Sequence, residues 1–257
     1  RYPGGKTRAC KIIEETIVKY PTFNLSNISE VISPFFGGGS FEFYLQHKYN
    51  LNIIANDKFT PLYNFWNICK SQKHSLCNAL IPYLDTITAD TFRQYRNEIM
   101  SIDDSLKQSV SYFIINRCSF SGATLSGGFS EEASKKRFTK SSIDRINNLD
   151  LTHLTISNMD FEDFIPSQIL DNQIMFLDPP YYLEKASKLY GDNGDMHGTF
   201  DHNKLYQLIS TKKRWIMTYN NCDFIKTLYK EFIIVEVDWK YGMNKTKKSS
   251  EIVIISI

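Results

Sequence analysis

The sequence lacks most of the features that place a protein quickly. Its five cysteines, Cys10, Cys69, Cys77, Cys118 and Cys222, lie scattered through 257 residues with no C-x-x-C pair. An odd count at such spacing disfavours both a disulfide framework and a zinc site, and fits reduced thiols in a cytosol-like compartment. No sign of charge dominates. Thirty Lys and Arg against 28 Asp and Glu leave a formal +2, too little to declare a nucleic-acid partner from bulk charge alone. No apolar run approaches the ~18 residues of a membrane span, and no charged n-region precedes an apolar h-region. We therefore expect a soluble, intracellular protein, cytoplasmic or nucleoid-associated, with no membrane partner. No Gly-Lys-Ser/Thr closes the one glycine-rich loop after a strand, so triphosphate binding loses weight, and there is no G-x-G-x-x-G. No metal is expected. The chain opens on Arg1 rather than Met, so we expect residues ahead of it.

What is present is an ordinary globular composition, 42% hydrophobic and 14% aromatic, in a chain long for one domain and short for two. One core domain carrying an insertion is the expectation. Apolar runs at Val31-Ile32, Leu51 to Ala55, Leu154 to Ile156, Ile174 to Leu177, Trp215 to Thr218, Phe232 to Val237 and Ile252 to Ile257 read as strands. Helical spacing covers Ala9 to Lys19, the stretch after Gly39, and Asn203 to Ser210 with Asp201 as its cap. From Pro61 to about Asp150 the alternation of strand and helix breaks. Leu62 to Lys70, Leu76 to Leu84, Asp90 to Met100 and Ser105 to Asn116 read as helices there, with Asp90 as a candidate cap.

Asp178-Pro179-Pro180-Tyr181 follows the buried strand ending at Leu177. In open α/β sheets ligands bind beyond the carboxyl ends of the strands. Two prolines there fix the backbone and leave the Asp178 carboxylate and neighbouring carbonyls as acceptors beside a ring. A planar base with an exocyclic amino group suits such a site, because the acceptors take its hydrogens and the ring stacks on its face. Asp-Pro also starts turns, so the segment alone fits that role equally. Pro34-Phe35-Phe36-Gly37-Gly38-Gly39 between a strand and a helix has the nucleotide-cradling arrangement. Asp57, about twenty positions after the glycine loop at a strand's end, is placed to accept from ribose hydroxyls; as an isolated Asn56-Asp57 pair it would be a surface turn. Asp160-Phe161 again puts a carboxylate and a ring at a strand's end, a pairing that suits an adenine moiety. Gly4, Gly5 and Lys6 fit either a ligand-approaching loop or a flexible terminus. Arg117 to Ser130 is polar and glycine-rich with exposed-looking rings, and Lys135-Lys136-Arg137-Phe138 concentrates positive charge around a ring. That combination suits phosphate contacts with stacking or wedging of bases, although a charge run is more often a solvated face. Tyr182 to Phe200 reads as a mobile loop and Lys240 to Ser250 as a basic hairpin loop.

Taken in order and spacing, Tyr2-Pro3-Gly4-Gly5-Lys6, Pro34 to Gly39, Asn56-Asp57, Asp160-Phe161, Asp178 to Tyr181 and Glu251-Ile252-Val253-Ile254 resemble the Dam-like alpha-group DNA adenine-N6 methyltransferases over nearly the whole chain. The resemblance implies an α/β fold, a doubly wound, mostly parallel, Rossmann-like methyltransferase sheet with a C-terminal antiparallel strand. It implies a catalytic domain from residues 1–60 and 151–257, and an inserted, mainly helical target-recognition domain at 61–150 that binds double-stranded DNA. It implies S-adenosylmethionine as methyl donor, with Tyr2 and Lys6 at its amino-acid end, Phe36, Gly37 and Gly39 admitting it, Asp57 on its ribose, and Asp160 and Phe161 on its adenine. Asp178, Pro179, Pro180 and Tyr181 would grip a flipped adenine, with Asp178 also bordering the donor. Asn116 to Gly122 is similar to the family's Asn-Arg-x-x-Tyr-Asn-Gly segment, with Phe120 where the wedging tyrosine stands. Ala123-Thr124-Leu125 lacks the arginine that Dam-type enzymes use for a guanine, so a GATC target is not implied. Arg117, Phe120, Lys135, Lys136 and Arg137 are the candidate DNA contacts, and a restriction endonuclease partner fits the same picture. Two rivals remain: an amino-methyltransferase acting on RNA or protein, and a non-enzymatic DNA-binding protein with a relic donor site.

Overall fold

The computed structural model describes residues 5–182, 200–239 and 249–256. Tyr2, the expected loop through residues 183–199 and the basic loop at 240–248 lie outside them. Residue contacts divide the chain into two units, a sheet unit containing residues 5–58, 153–182, 200–239 and 249–256, and a helical unit of residues 59–152.

The sheet unit holds β1 (Glu30–Ser33), β2 (Asn52–Asn56), β3 (Leu154–Ser157), β4 (Gln173–Leu177), β5 (Trp215–Asn220), β6 (Ile233–Trp239) and β7 (Ser249–Ile255). They form one sheet in the order β3-β2-β1-β4-β5-β7-β6. The first five are parallel, and β7 is antiparallel to both β5 and β6. This is the mostly parallel α/β sheet with an antiparallel C-terminal strand that the sequence implied. All five residues of β4 are buried, as a central parallel strand covered on both faces requires. Alternate residues share a face, so Met175, Leu177, Trp215, Met217, Ile252 and Ile254 join one apolar cluster with Leu205, Ile209, Ile225 and Tyr229. Leu205 and Ile209 come from the helix His202–Ile209, and Ile225 from the helix Asp223–Leu228. On the opposite face Phe176 meets Phe41 at a centroid distance of 4.6 Å.

The strand order reverses between β1 and β4. Chain leaving β1 runs outward to β2 and β3, and chain leaving β4 runs the other way to β5, which opens a crevice at the carboxyl ends of β1 and β4. Two helices of this unit pack on each other, α1 (Cys10–Ile17), which lies against β6 and β7, and α2 (Ser40–Tyr49), which lies against β2. Buried Glu14 of α1 accepts from Lys48 Nζ at 2.6 Å and from the hydroxyls of Tyr44 and Tyr49, all on α2. Burial works to raise this carboxyl, but the three donors outweigh it and hold it below the usual carboxylate range. Asp201 caps its helix as expected, accepting from the Lys204 amide at 2.9 Å.

The helical unit contains α3 (Thr60–Ser71), α4 (Lys73–Leu80), α5 (Ala89–Glu98), α6 (Ser105–Cys118), α7 (Glu131–Arg137) and α8 (Lys140–Asn147). Helix α6 is buried on every side from Gln108 to Asn116, so it is the axis of the unit rather than an amphipathic surface helix. Phe65 of α3 stacks on Phe113 at 5.8 Å and Phe113 meets Phe138 edge-on at 6.0 Å. The cap of α5 is Thr88, whose hydroxyl accepts from the Thr91 amide at 3.2 Å. Asp90, the residue expected to cap it, instead lies in the first turn paired with Arg93, because the cap falls two residues earlier than expected, at Thr88. No helix among the described residues is long and apolar enough to cross a membrane.

Candidate active site

The segment after β4 is held at nearly every turn by the end of β5. Thr218 Oγ1 donates to Asp178 Oδ1 at 2.8 Å, the Tyr219 hydroxyl lies 3.4 Å from the Pro180 carbonyl, and Asn220 Nδ2 donates to the Tyr182 carbonyl at 2.9 Å. Three consecutive residues thus fix positions 178, 180 and 182. Tyr219 also bonds the His202 ring, and burial raises its hydroxyl well above the ordinary tyrosine range, keeping it neutral. These residues were not singled out from the sequence. The available signal was polar Thr218 to Asn221 closing an apolar strand at the same end of the sheet as Asp178.

Lys6 reaches into the same place. Its side chain is 3% exposed, with Nζ 2.9 Å from Asp178 Oδ1 and 2.7 Å from the Tyr181 hydroxyl. That hydroxyl donates to Glu251 Oε2 at 2.6 Å, and the same oxygen lies 3.9 Å from Lys6 Nζ. A buried cation is thereby matched by two carboxylates and a phenol, the pairing that makes its burial tolerable. Glu251, on β7, was noted in the sequence only as part of a motif. The Tyr181 ring packs on Tyr219 at 5.7 Å with Lys6 Nζ 4.9 Å from its centroid. Lys6 and Thr218 both donate to Oδ1 of Asp178, and among the described residues no donor is bound to Oδ2, on a side chain 24% exposed.

The glycine loop stands beside these groups at the end of β1. Gly37 has φ of 51° and its amide donates to Asp57 Oδ2 at 2.8 Å, tying the loop to the end of β2. Gly39, at φ 61°, is the N-cap of α2. A Cβ there would stand 2.5 Å from Phe36 Cζ and 2.8 Å from Phe43 Cε2. Its missing side chain therefore makes room for two packed rings, where the sequence assigned that space to a ligand. Phe36 is itself buried. Buried Asn56 links three strand ends, donating to the carbonyls of Pro34 and Met159 at 3.2 and 3.1 Å and accepting from the Met159 amide at 2.9 Å. Asp160 caps a short helix, Phe161–Phe164, accepting from the Glu162 amide at 3.1 Å and from Lys58 Nζ at 2.5 Å. Burial pushes its carboxyl up, but Lys58 and the helix amides outweigh that and keep it below the usual range. Phe161 packs against Phe35 at 5.7 Å. The strand ends thus bring Lys6, Gly37, Asp57, Asp160, Phe161 and Asp178 to one edge of the sheet. A loop with two left-handed glycines, flanked by carboxylates and an aromatic ring, fits a nucleoside carrying hydroxyl and amino groups.

Behind this edge lies Glu42 of α2, 2% exposed, accepting from Ser33 Oγ at 2.5 Å. Burial pushes its carboxyl up to about 7, the charge of Asp178 adds to this, and the Ser33 hydroxyl and backbone amides oppose it. Cys10, with its thiol against the Ser40 and Lys6 carbonyls, is pushed up to about 12, chiefly by burial and then by Glu42. A carboxyl whose folded value exceeds its unfolded value near 4.5 stabilises the fold fully below that pH and loses its contribution as pH rises through 7. Between these limits Glu42 should cost the protein about 3 kcal/mol, the free energy of a shift of that size. Glu42→Gln should flatten this stretch of the stability curve in urea titrations, and a variant retaining the full pH slope would contradict it.

In the helical unit, Arg117 lies over the Phe113 ring at 4.9 Å and Phe120 is 70% exposed. The ring of the basic run differs from its sequence reading, and its lysines are exposed and ion-paired. Lys135 and Lys136 pair with Glu131 and Glu132 one turn earlier, at 2.6 and 2.8 Å. Phe138 is buried in the core rather than offered to a base, because α7 ends there and turns the ring onto Phe113. Arg137 donates to the Ser119 carbonyl.

Comparison with known proteins gives the family. A family model described as D12 class N6 adenine-specific DNA methyltransferase matches residues 2–243. The chain is similar to the type II methyltransferase M.MjaIII of Methanocaldococcus jannaschii, 25% identical over 95% of this chain and 91% of the relative. It is also similar to the type II methyltransferase M.CviBI of Paramecium bursaria Chlorella virus NC1A, 24% identical over 94% and 89%.

Proposed function

The chain belongs to the D12 class of N6 adenine-specific DNA methyltransferases, and from that premise we propose how its residues divide the work. It methylates adenine N6 in DNA in a sequence-specific manner. In our reading the donor is S-adenosylmethionine, which when bound supplies an electrophilic methyl group. Lys6, Gly37 and Asp57 hold its amino-acid and ribose portions, and Asp160 with Phe161 holds its adenine. The residues 61–150 serve as the target-recognition domain, with Arg117, Phe120, Lys135 and Lys136 toward the duplex.

The observation that carries the reading is the polarity of Asp178. Two donors on Oδ1 orient the carboxylate and leave Oδ2 to accept from an amino group. The N6 lone pair of adenine is delocalised into the ring. Hydrogen bonds from N6–H to Asp178 and to the Pro179 carbonyl favour a more pyramidal, nucleophilic nitrogen, and the bound geometry does the rest. Extruding the base costs a few kcal/mol, offset in part by stacking on Tyr181. That ring is already steadied by Tyr219 on one side and by two hydrogen bonds at its hydroxyl.

Both relatives are type II methyltransferases, which supports a place beside a restriction endonuclease of the same specificity. The test is methylation of a randomised duplex library with labelled donor, followed by mapping of modified adenines, with RNA and protein in parallel. Label in one duplex motif is the expected result. Label only in RNA or protein would favour the amino-methyltransferase rival.

A further inference from the structure

The segment after α6 is built more completely than a mobile reading loop requires. Ser119 pairs with Phe129 in an isolated antiparallel bridge, the Phe120 amide donates to the Gly128 carbonyl at 2.8 Å, and the Ser130 amide donates to Cys118 at 2.8 Å. Inside this closure two tight turns run through Gly122, at φ 77°, and Ser126. The Asn116 side chain donates to the Gly122 carbonyl at 3.4 Å. A Cβ on Gly127 would stand 3.1 Å from Ser119 Cβ and 3.2 Å from Ala123 Cβ, so the loop closes on itself without spare room. Phe120 projects from it, 70% exposed.

Two guanidinium groups from outside the loop bind its carbonyls. Half-buried Arg137, on α7, donates through Nη2 to the Ser119 carbonyl at the loop's root, with Nη1 3.4 Å from where a Gly122 Cβ would be. Arg96, on α5, donates to the Gly127 carbonyl at 3.4 Å on the other limb. A guanidinium bonded to a backbone carbonyl fixes loop shape, whereas a phosphate contact needs only a charge near the surface.

We propose that Arg137 and Arg96 are positioning residues that clamp loop 119–129 in the shape that presents Phe120 to DNA, and that their role is in target discrimination rather than phosphate binding. This rests on the reading of the helical unit as the target-recognition domain. The two roles separate cleanly. A phosphate contact tolerates Lys, weakens all sequences alike when removed, and lowers the slope of log affinity against log salt by about one. A clamp does not tolerate Lys, because one ammonium cannot both bond the Ser119 carbonyl and lie against Gly122 as the two guanidinium nitrogens of Arg137 do.

The experiment compares wild type, Arg137→Lys and Arg137→Gln on duplexes carrying the site found in the library and on each single-base variant of it. We expect both substitutions to cut the ratio of cognate to variant methylation about tenfold, the scale of one base contact, with the salt slope of duplex binding unchanged. A wild-type-like Arg137→Lys beside an Arg137→Gln that loses affinity uniformly and flattens the salt slope would overturn the proposal. If the Arg137 variants fail to fold by circular dichroism, Arg96→Gln carries the test, and undiminished discrimination there overturns it. A wild-type protein that methylates no duplex would instead sink the functional reading itself, and the clamp with it.

Discussion

Asp178→Ala is expected to reduce methyl transfer by at least about 10³-fold, the scale on which a positioned polar partner of a reacting group matters. Retention of duplex DNA should change little, because the candidate DNA contacts lie in the helical unit. Single-turnover transfer of labelled methyl, with filter retention of the same duplex, reads both. Asp178→Asn sharpens the result. It keeps the shape, but an amide in place of the carboxylate puts an N–H either against Lys6 and Thr218 or toward the substrate's own N–H. It should therefore fail nearly as badly as Ala. Either variant turning over at the wild-type rate would remove Asp178 from the chemistry.

Lys6→Met is expected to lower stability by about 3–5 kcal/mol, the cost of leaving a buried carboxylate without its cation. Glu251 bears most of this, being 3% exposed at its side chain, whereas Asp178, at 24%, recovers some solvation from water. The strain should be relieved by a second substitution. Glu251→Gln removes a buried charge that Lys6 no longer offsets while keeping an acceptor for the Tyr181 hydroxyl, so the double variant should regain part of the loss in urea unfolding. A strictly additive double variant would mean that Lys6 and Glu251 do not interact. Activity should fall in Lys6→Met beyond what instability explains, since Asp178 Oδ1 loses one of the two donors that orient it.

The sequence revealed the sheet and its site unequally, for physical reasons. Buried parallel strands such as Ile174 to Leu177 announce themselves as apolar runs, and glycines and prolines at their ends mark where the backbone must turn. The places of Asp178, Gly37 and Asp57 at the strand ends were legible for that reason. Thr218, Tyr219, Asn220 and Glu251 were not, because their roles come from strand neighbours brought together by crossover connections, which no local pattern encodes. The same limit explains the basic run. Lys135, Lys136 and Phe138 look alike in sequence as an exposed cluster, but helical spacing pairs the lysines with Glu131 and Glu132 and turns the ring inward. Asp90 was passed over as a cap because Thr88 caps the helix two residues sooner.

The antiparallel strand β7 separates β5 from β6, yet it is made after both of them. Without it, the facing edges of β5 and β6 would each offer unpaired amides and carbonyls. Its insertion also delivers Glu251 to Tyr181. A chain in which β7 has not yet paired therefore carries the Asp178 to Tyr181 segment without its brace at Glu251.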